Sequence, residues 1–252
     1  MLGAVELYTR SRALVLFDFD GTLADSIDAV TAATNSVIEH YGGDAASERQ
    51  ILHGMAYATD KRFLFHFGLD PDTPWPASFS GRVLPGPDQV VDEFYRELLA
   101  SLDAVEPHGA LFDLVRELGR AGWSCGIVSN NRSFLINRLL RLWKVSFDFD
   151  LVLGEDDVYP AKPHPQGLRS AMSRLGHEPT DTVYIGDGRS DALAAEAAGV
   201  AAIGLSWIHN RRGDVLPEEF SCVASDAVEL RALLSAWEKR ELPCAAAARV
   251  IS

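Results

Sequence analysis

The stretch LVLFDFDGTLADS, at residues 14–26, decides how the rest of the chain is organised. It begins with a short apolar run whose length and bulk are typical of a buried strand. Asp18 and Asp20 follow two residues apart, so an extended backbone points both carboxylates to the same side. Gly21 then lets the chain turn sharply away from the strand. The stretch therefore predicts a strand that delivers two carboxylates to one reacting centre.

Further short apolar runs recur along the chain, and amphipathic helical patterns separate them. The runs are WSCGIV (123–128), LVLG (151–154), TVYIG (182–186) and VAAIGL (200–205). The helical patterns cover residues 110–122, 134–143, 165–176 and 190–199. Short buried strands that alternate with helices of this size predict a parallel sheet covered on both faces. We expect an α/β fold with a Rossmann-like parallel sheet.

The segment from residue 26 to residue 104 breaks this alternation, because its patterns are helices and loops only. A helix is expected from a cap at Asp25 or Ser26 to the glycines at 42–43. Another is expected over 90–102, with a proline- and glycine-rich loop at 70–88. This predicts an inserted all-helical domain at 26–104, a core formed by 1–25 and 105–240, and a C-terminal tail at 241–252.

The tetrapeptide FDFD occurs a second time, at residues 147–150. There it precedes a predicted strand, so Asp148 and Asp150 are expected at the opposite edge of the sheet, as a solvated strand entrance. Glu155 and Asp156 follow that strand and reach the same edge as Asp18. They are either loop acids or supports for a metal site.

Composition limits the partners that the protein can have. The chain has 252 residues and a formal net charge of −13, which argues against nucleic acid as a partner. No apolar run approaches the roughly 20 residues of a membrane helix, and the N-terminal residues do not resemble a signal peptide. Cys125, Cys222 and Cys244 lack metal-ligand spacing and fit a reduced set. We expect a cytoplasmic protein without a membrane partner; the oligomeric state is left open.

Polar residues follow the strands at the edge where ligands gather in parallel α/β sheets. Ser129 and Asn130 follow one strand, Asp187 follows another, and Lys162 lies in a loop between them. The hydroxyl, the amide and the ammonium suit an anionic oxygen. Clustered carboxylates need a cation, and hard oxygen ligands suit Mg²⁺, which also binds phosphate. The residues therefore indicate a Mg²⁺ and phosphate site.

Four segments, in order, resemble the motifs of the haloacid dehalogenase (HAD) superfamily of phosphotransferases. They are DFDGTL (18–23), SN (129–130), AKP (161–163) and GDGRSD (186–191). The helical insert resembles the superfamily's C1-type cap domain. The first and fourth segments, with their flanks, are most similar to the phosphoglycolate phosphatase-like branch. The resemblance covers nearly the whole chain.

The resemblance implies a role for each residue. Asp18 would be the nucleophile that forms an aspartyl-phosphate, and Asp20 the general acid and then the general base. The phosphate would be bound by Gly21, Thr22, Ser129, Asn130 and Lys162. The Mg²⁺ cofactor would be held by Asp18, Asp20 through its backbone carbonyl, and Asp187, with Asp191 in support.

We therefore expect a Mg²⁺-dependent phosphatase, a phosphoric monoester hydrolase acting on a phosphoglycolate-like metabolite or a sugar phosphate. A phosphomutase of the β-phosphoglucomutase type shares the same core and is the main alternative. A dehalogenase ranks low because relatives with that chemistry lack the second aspartate, and a non-catalytic binding protein ranks low because the motif residues are intact.

The sequence departs from the resemblance in two places that bear on the substrate. Asn131 and Arg132 follow the second motif where a lysine is common, and Ala161 precedes Lys162 where a second lysine is common. Cap residues that could contact the substrate are His53, Lys61, Arg62 and Arg82, although a basic residue on a helix is more often solvated. Phe63, Phe65 and Phe67 are expected in the cap core.

Overall fold

The computed structural model describes residues 13–55, 57–207, 219–220 and 222–241. The strands are β1 (Leu14–Phe17), β2 (Ala24–Asp25), β3 (Ser78–Phe79), β4 (Arg82–Val83), β5 (Glu106–Pro107), β6 (Ser124–Val128), β7 (Leu151–Leu153), β8 (Thr182–Gly186), β9 (Ala201–Leu205) and β10 (Cys222–Ala224). The α-helices are α1 (Ile27–His40), α2 (Glu48–Gly54), α3 (Thr59–His66), α4 (Pro87–Ala100), α5 (Gly109–Arg120), α6 (Ser133–Leu142), α7 (Gln166–Leu175), α8 (Arg189–Ala198) and α9 (Ala227–Glu238).

A six-stranded sheet organises the fold, in the order β10-β9-β8-β1-β6-β7. Each of its pairings is parallel, so the predicted α/β class is confirmed. Strand β1 lies between β6 and β8, with Phe17 opposite Ile127 on one side and Ile185 on the other. The carboxyl end of β1 therefore opens at the centre of the ligand edge. The sequence patterns missed β10, which is only three residues long.

Helices cover both faces of the sheet. Val15 and Phe17 of β1 are buried in one apolar cluster, together with residues of α5, α6 and α9. Leu14 and Leu16 are buried in a second cluster with residues of α7 and α8. Because side chains alternate along a strand, the four apolar residues of β1 supply both layers of the core. This explains why β1 is apolar throughout.

The inserted segment leaves and rejoins the core through a two-stranded antiparallel ribbon, in which Ala24 pairs with Pro107 and Asp25 with Glu106. Helices α1 to α4 lie between these strands. We propose that this ribbon is the boundary between core and cap. The interpretation of the insert as helices and loops only is wrong at residues 78–83, where β3 and β4 form a hairpin.

Three side-chain expectations can be compared with the fold. Phe63 and Phe67 are buried, as expected for the cap core, whereas Phe65 is only half-buried. Cys125 is buried and free, but Cys222 is disulfide-bonded, so the expectation of a reduced set is wrong there. Cys244 lies outside the described residues, as does almost all of the predicted tail. In the part of the chain that the structure describes, no helix has both the length and the apolarity for a membrane crossing.

The second FDFD tetrapeptide lies at the edge of the sheet opposite to Asp18, as predicted, but its carboxylates are not simply solvated. Asp148 accepts a hydrogen bond from Arg116 Nε at 3.0 Å. Asp150 Oδ2 accepts one from the backbone N–H of Cys125 at 2.9 Å, and Asp150 N donates to the carbonyl of Cys125 at 2.8 Å. These contacts attach the entrance of β7 to the sheet.

Asp150→Ala should lower the free energy of unfolding by about 1 kcal/mol, since it removes the acceptor for a strand N–H. Urea denaturation of this variant, beside Asp103→Ala at an exposed position, checks the difference. Turnover should be unchanged in both variants, because Asp150 lies at the edge of the sheet away from the candidate site. A loss of activity in Asp150→Ala would contradict this placement.

Candidate active site

The carboxyl ends of β1, β6 and β8 meet beneath the inserted helices and enclose a cavity of about 530 Å³. Most of the residues predicted from sequence line it, namely Asp18, Asp20, Gly21, Ser129, Asn130, Lys162, Asp187 and Asp191. Thr22 is not among the lining residues. The parallel topology therefore brings together groups that are up to 173 positions apart in the chain.

Lys162 is the buried centre of this cluster. Its ammonium lies 2.8 Å from Asp18 Oδ1 and 2.5 Å from Asp191 Oδ1, and the side chain is 2% exposed. Burial lowers the pKa of Lys162, but the ion pairs with Asp18 and Asp191 outweigh it and raise the pKa overall. The lysine therefore keeps its charge between two carboxylates.

Tyr184 supports this lysine from below, and the sequence patterns gave no indication of it. Lys162 Nζ donates to the Tyr184 hydroxyl at 2.9 Å. The same hydroxyl lies 2.8 Å from the Val128 carbonyl and 3.1 Å from Asp191 Oδ1. Burial raises the pKa of Tyr184 well above its ordinary value, so the hydroxyl keeps its proton. In the sequence, Tyr184 is one residue in the apolar run of a predicted buried strand.

Three aspartates give the site an excess of negative charge. Asp18, Asp187 and Asp191 offer ligand oxygens that lie within 4.8 Å of one another. Burial raises the pKa of Asp18 to about 8, the charges of Asp191 and Asp187 add to this, and Lys162 opposes it. One lysine cannot balance three buried carboxylates, and hard oxygen donors at this spacing fit a Mg²⁺ ion.

Asp191 holds this cluster in place through hydrogen bonds at both of its oxygens. Asp191 Oδ2 accepts from the backbone N–H groups of Gly188 at 2.9 Å and Asp187 at 3.2 Å, while Oδ1 faces Lys162. The side chain lies in the first turn of α8, where a helix N-terminus favours an anion. Its predicted supporting position is consistent with this geometry.

Gly21 and Thr22 both shape the position of Asp187, and Gly21 also lines the cavity. Gly21 has φ +79°, and a Cβ there would lie 2.2 Å from Asp187 Oδ2. Glycine is therefore required both for the turn and for the approach of the carboxylate. The Thr22 hydroxyl donates to Asp187 Oδ1 at 3.0 Å and is buried. The structure thus places Thr22 behind Asp187, away from the expected phosphate position.

Two hydrogen bonds orient Asp20. Ser26 Oγ donates to Asp20 Oδ1 at 2.5 Å, and Asn131 Nδ2 donates to Asp20 Oδ2 at 2.9 Å. Ser26 occupies the N-cap position of α1, as one of the two predicted positions, but its side chain makes no cap hydrogen bond and contacts Asp20 instead. In the sequence, Asn131 is visible only as a departure from the family pattern. The sequence could not show that its amide reaches Asp20.

Asn130 anchors the loop that carries Lys162. Its amide nitrogen donates to the Lys162 carbonyl at 2.9 Å, and its amide oxygen accepts from the Lys162 N–H at 2.8 Å. This pair of hydrogen bonds uses both polar atoms of the side chain, so Asn130 positions Lys162. Ser129 is 6% exposed and lines the cavity beside it.

Glu155 and Asp156 have separate functions in the fold. Asp156 accepts from the Ser133 backbone N–H at 2.7 Å and so caps the start of α6. Glu155 instead reaches the inserted helices: Oε2 accepts from the Thr59 N–H at 3.1 Å, and Oε1 from the Tyr95 hydroxyl at 3.1 Å. Neither acid belongs to the carboxylate cluster around Asp18, which favours the alternative that they are loop acids.

Arg132 completes this connection, which we name the cap clasp (Glu155, Arg132, Thr59 and Tyr95). The Arg132 guanidinium lies 4.5 Å from the centre of the Tyr95 ring, and its Nε lies 3.8 Å from Glu155. Arg132 and Glu155 are on the core, whereas Thr59 and Tyr95 are on α3 and α4. The clasp therefore closes the inserted helices over the cavity.

The four basic residues expected from the insert separate into two pairs. His53 and Arg62 line the cavity. Lys61 instead pairs with Asp72 at 2.7 Å, and Arg82 donates to the His40 carbonyl. The first pair can therefore contact a bound molecule, whereas the second pair stabilises the insert.

Comparison with known proteins agrees with this geometry. The model of the family described as haloacid dehalogenase-like hydrolase matches residues 15–205. The chain is 31% identical over 211 residues to a phosphoglycolate phosphatase of Salmonella choleraesuis, covering 78% of this chain and 82% of the relative. It is 27% identical over 223 residues to a phosphoglycolate phosphatase of Yersinia pestis, covering 86% and 90%.

Solved structures are similar over most of their length. A haloacid dehalogenase-like hydrolase from Bacteroides fragilis superposes with a TM-score of 0.69 at 26% identity, covering 86% of this chain and 99% of that one. CbbY from Rhodobacter sphaeroides, in complex with phosphate, gives a TM-score of 0.70 at 21% identity, covering 86% and 96%. The second likeness extends to the fold alone.

Glu155→Ala should loosen the inserted helices, because it removes the acceptor for Thr59 and Tyr95. We expect faster amide hydrogen exchange at the start of α3 and a KM for a phosphate ester raised on the order of tenfold. The matched control is Asp92→Ala, which removes the exposed ion pair with Arg132 at 3.2 Å and should change KM little. Equal effects of the two substitutions would contradict the clasp.

Proposed function

The chain belongs to the haloacid dehalogenase-like hydrolases and is a phosphatase of that family, and from this premise we propose that it hydrolyses a small phosphorylated metabolite through an aspartyl-phosphate on Asp18, with Mg²⁺ as cofactor. The observation that carries the proposal is the shared cavity of Asp18 and Asp20, with the Lys162 ammonium 2.8 Å from Asp18. The alcohol part of the substrate would be a phosphoglycolate-like acid or a sugar.

In the first half of the reaction, Asp18 attacks phosphorus. A bond forms between a carboxylate oxygen and phosphorus while the bond from phosphorus to the substrate's alcohol oxygen breaks. Asp20 donates its proton to that leaving oxygen, which departs as the alcohol. The hydrogen bonds from Ser26 and Asn131 hold Asp20 in position for this transfer. Covalent catalysis thereby divides one difficult displacement into two easier steps.

In the second half, water attacks the phosphorus of the aspartyl-phosphate. Asp20, now deprotonated, takes the proton of that water, and the bond between Asp18 and phosphorus breaks. Inorganic phosphate leaves and both aspartates return to their initial state. The Lys162 ammonium and the Ser129 hydroxyl hold the phosphoryl oxygens throughout, because phosphoryl transfer depends mainly on positioning and charge stabilisation.

The cation would be held by Asp18, Asp187 and the backbone carbonyl of Asp20, with Asp191 supporting them. Bound there, Mg²⁺ would neutralise the carboxylates and attract the phosphoryl oxygens. The inserted helices, closed by the cap clasp, would exclude bulk water and contact the alcohol part of the substrate.

Asp18→Asn should reduce the turnover of a generic aryl phosphate by roughly 10³-fold or more, because the nucleophile is lost. The fold should persist, since an amide of the same shape replaces the carboxylate. Phosphate release measures the activity, and circular dichroism measures the fold. Asp148→Asn, in the second copy of the same tetrapeptide, is the matched control and should keep full activity.

Full activity of Asp18→Asn would refute the assignment. The same assay separates the alternatives, because steady release of inorganic phosphate without a bisphosphate activator indicates hydrolysis rather than a phosphomutase. Chloride release from a haloacid would point instead to a dehalogenase.

Removal of divalent cations with EDTA should abolish phosphate release, and added Mg²⁺ should restore it. A second measurement does not depend on turnover: Mg²⁺ should raise the melting temperature of the protein, because an ion that binds only the folded state stabilises it. Asp187→Asn should lose most of this increase. Unchanged activity in EDTA, or an equal Mg²⁺ effect on melting in the variant, would contradict the proposed metal site.

A further inference from the structure

Arg62 is a buried cation in the wall of the cavity. It lies on α3 of the insert, is 7% exposed, and lines the same cavity as Asp18 and Asp20. Its guanidinium lies 4.5 Å from the centre of the Phe94 ring. The aromatic ring fixes the plane of the guanidinium but provides no hydrogen-bond acceptor for its N–H groups.

The hydrogen-bonding capacity of this arginine is largely unused. Nε and Nη2 are buried and have no hydrogen-bond partner. Among the residues that the structure describes, no carboxylate forms an ion pair with Arg62. Burial lowers its pKa, which reflects the cost of keeping the charge there. The nearby Tyr95, Glu155 and Asp20 oppose this effect on the pKa only in part. A buried charge whose N–H groups lack acceptors is strongly destabilising, so its presence indicates a missing anionic partner.

Three other cations near the cavity are paired, and Arg49, which also lines the cavity, is exposed to solvent. Lys162 contacts Asp18 and Asp191, Arg132 contacts Asp92, and Arg189 pairs with Glu219. Lys61, the neighbour of Arg62 on α3, pairs with Asp72 and points away from the cavity. Arg62 therefore differs from these cations, because it is both buried and without a partner at one edge.

The two unpartnered atoms also specify the shape of the missing partner. Nε and Nη2 form one edge of the guanidinium, and their N–H groups point in parallel. Such a fork matches two oxygens of one anionic group, as in a bidentate contact with a carboxylate or a phosphate. A single hydroxyl or a carbonyl would leave half of the fork unsatisfied.

We propose that Arg62 binds a second anionic group, with two oxygens, on the alcohol part of the substrate. The enzyme would thus act on phosphate monoesters whose alcohol carries a carboxylate or another phosphate. This inference rests on the proposed function, because the reacting phosphate is held by Lys162 and Ser129 on the core. Arg62 is on the insert, so the two anionic groups of the substrate would bridge core and cap.

Two hydroxyl groups lie in the cavity wall that contains Arg62. Thr59 and Tyr95 place hydroxyl oxygens 3.3 Å apart in the same wall, and both residues line the cavity. Their hydroxyl groups suit polar oxygens beside the anion. Both residues also belong to the cap clasp, so an anion bound at Arg62 would add a further connection within the closed state.

Three substrates show which kind of anionic group Arg62 binds. They are 2-phosphoglycolate, ethyl phosphate and ethylene glycol bisphosphate. They share a two-carbon alcohol and differ in carrying a carboxylate, no second anion, or a second phosphate. The wild type should show kcat/KM at least about tenfold higher for one or both of the anionic esters than for ethyl phosphate. Whichever anionic ester is preferred identifies the group.

Arg62→Met should reduce kcat/KM for the preferred anionic ester on the order of 100-fold, while ethyl phosphate changes by no more than about threefold. Arg62→Lys keeps the charge without the fork and should give an intermediate loss. Lys61→Met, at the adjacent exposed position, should behave as the wild type. Equal losses on charged and uncharged esters, or no preference in the wild type, would overturn the inference.

Calorimetry keeps the inference testable if turnover is absent. The Asp18→Asn protein should bind 2-phosphoglycolate or the bisphosphate more tightly than ethyl phosphate, and the additional Arg62→Met substitution should remove the difference. Hydrolysis of all three esters with similar kcat/KM, unchanged in Arg62→Met, would refute the inference alone and leave the proposed function standing. If none of the three esters is hydrolysed, the proposed function fails, and calorimetry then decides on Arg62. Equal affinities for all three esters would refute the proposed role of Arg62.

Discussion

The ion pairs of Lys162 with Asp18 and Asp191 are the constraint on which the site depends. Three strand ends and one loop must converge to bury an ammonium between two carboxylates at 2.8 and 2.5 Å. Because an unpaired charge at this depth would be strongly destabilising, each member requires the others. The surrounding hydrogen bonds keep this arrangement in place: Asn130 donates to the lysine backbone carbonyl, and the lysine ammonium donates to the Tyr184 hydroxyl.

The site is nevertheless left with unbalanced charge in two places. The aspartate cluster on the core is buried and carries an excess of negative charge, and both effects raise the pKa of Asp18. Arg62 on the insert carries a buried positive charge whose Nε and Nη2 have no acceptor. A cation at the first place and a substrate anion at the second would each remove an energetic cost. These charges fit the ligands that we propose, which are a metal ion on the core and a substrate anion beside the insert.

The repeated tetrapeptide shows what the sequence could predict. One copy follows its strand and the other precedes its strand, which predicts opposite edges of the sheet for the two copies. The structure has Asp18 and Asp148 at opposite edges. The α/β class follows from the alternation of short apolar runs with helical patterns. The sequence patterns do not reveal three of the contacts, because the distance between the two residues of each pair depends on how the loops turn. These contacts join Asp150 to Cys125, Thr22 to Asp187 and Ser26 to Asp20.

The sequence by itself determined the fold class and the family resemblance, and it predicted the residues that we propose carry the chemistry, because strand periodicity and motif order are local properties of the chain. Only the tertiary structure decided which side chains support them. Tyr184 and Asn131 carry no local signal, since a buried tyrosine in a strand and an amide in a loop have many ordinary explanations. The unpartnered edge of Arg62 was likewise invisible, because a missing partner is defined by every residue around it in space.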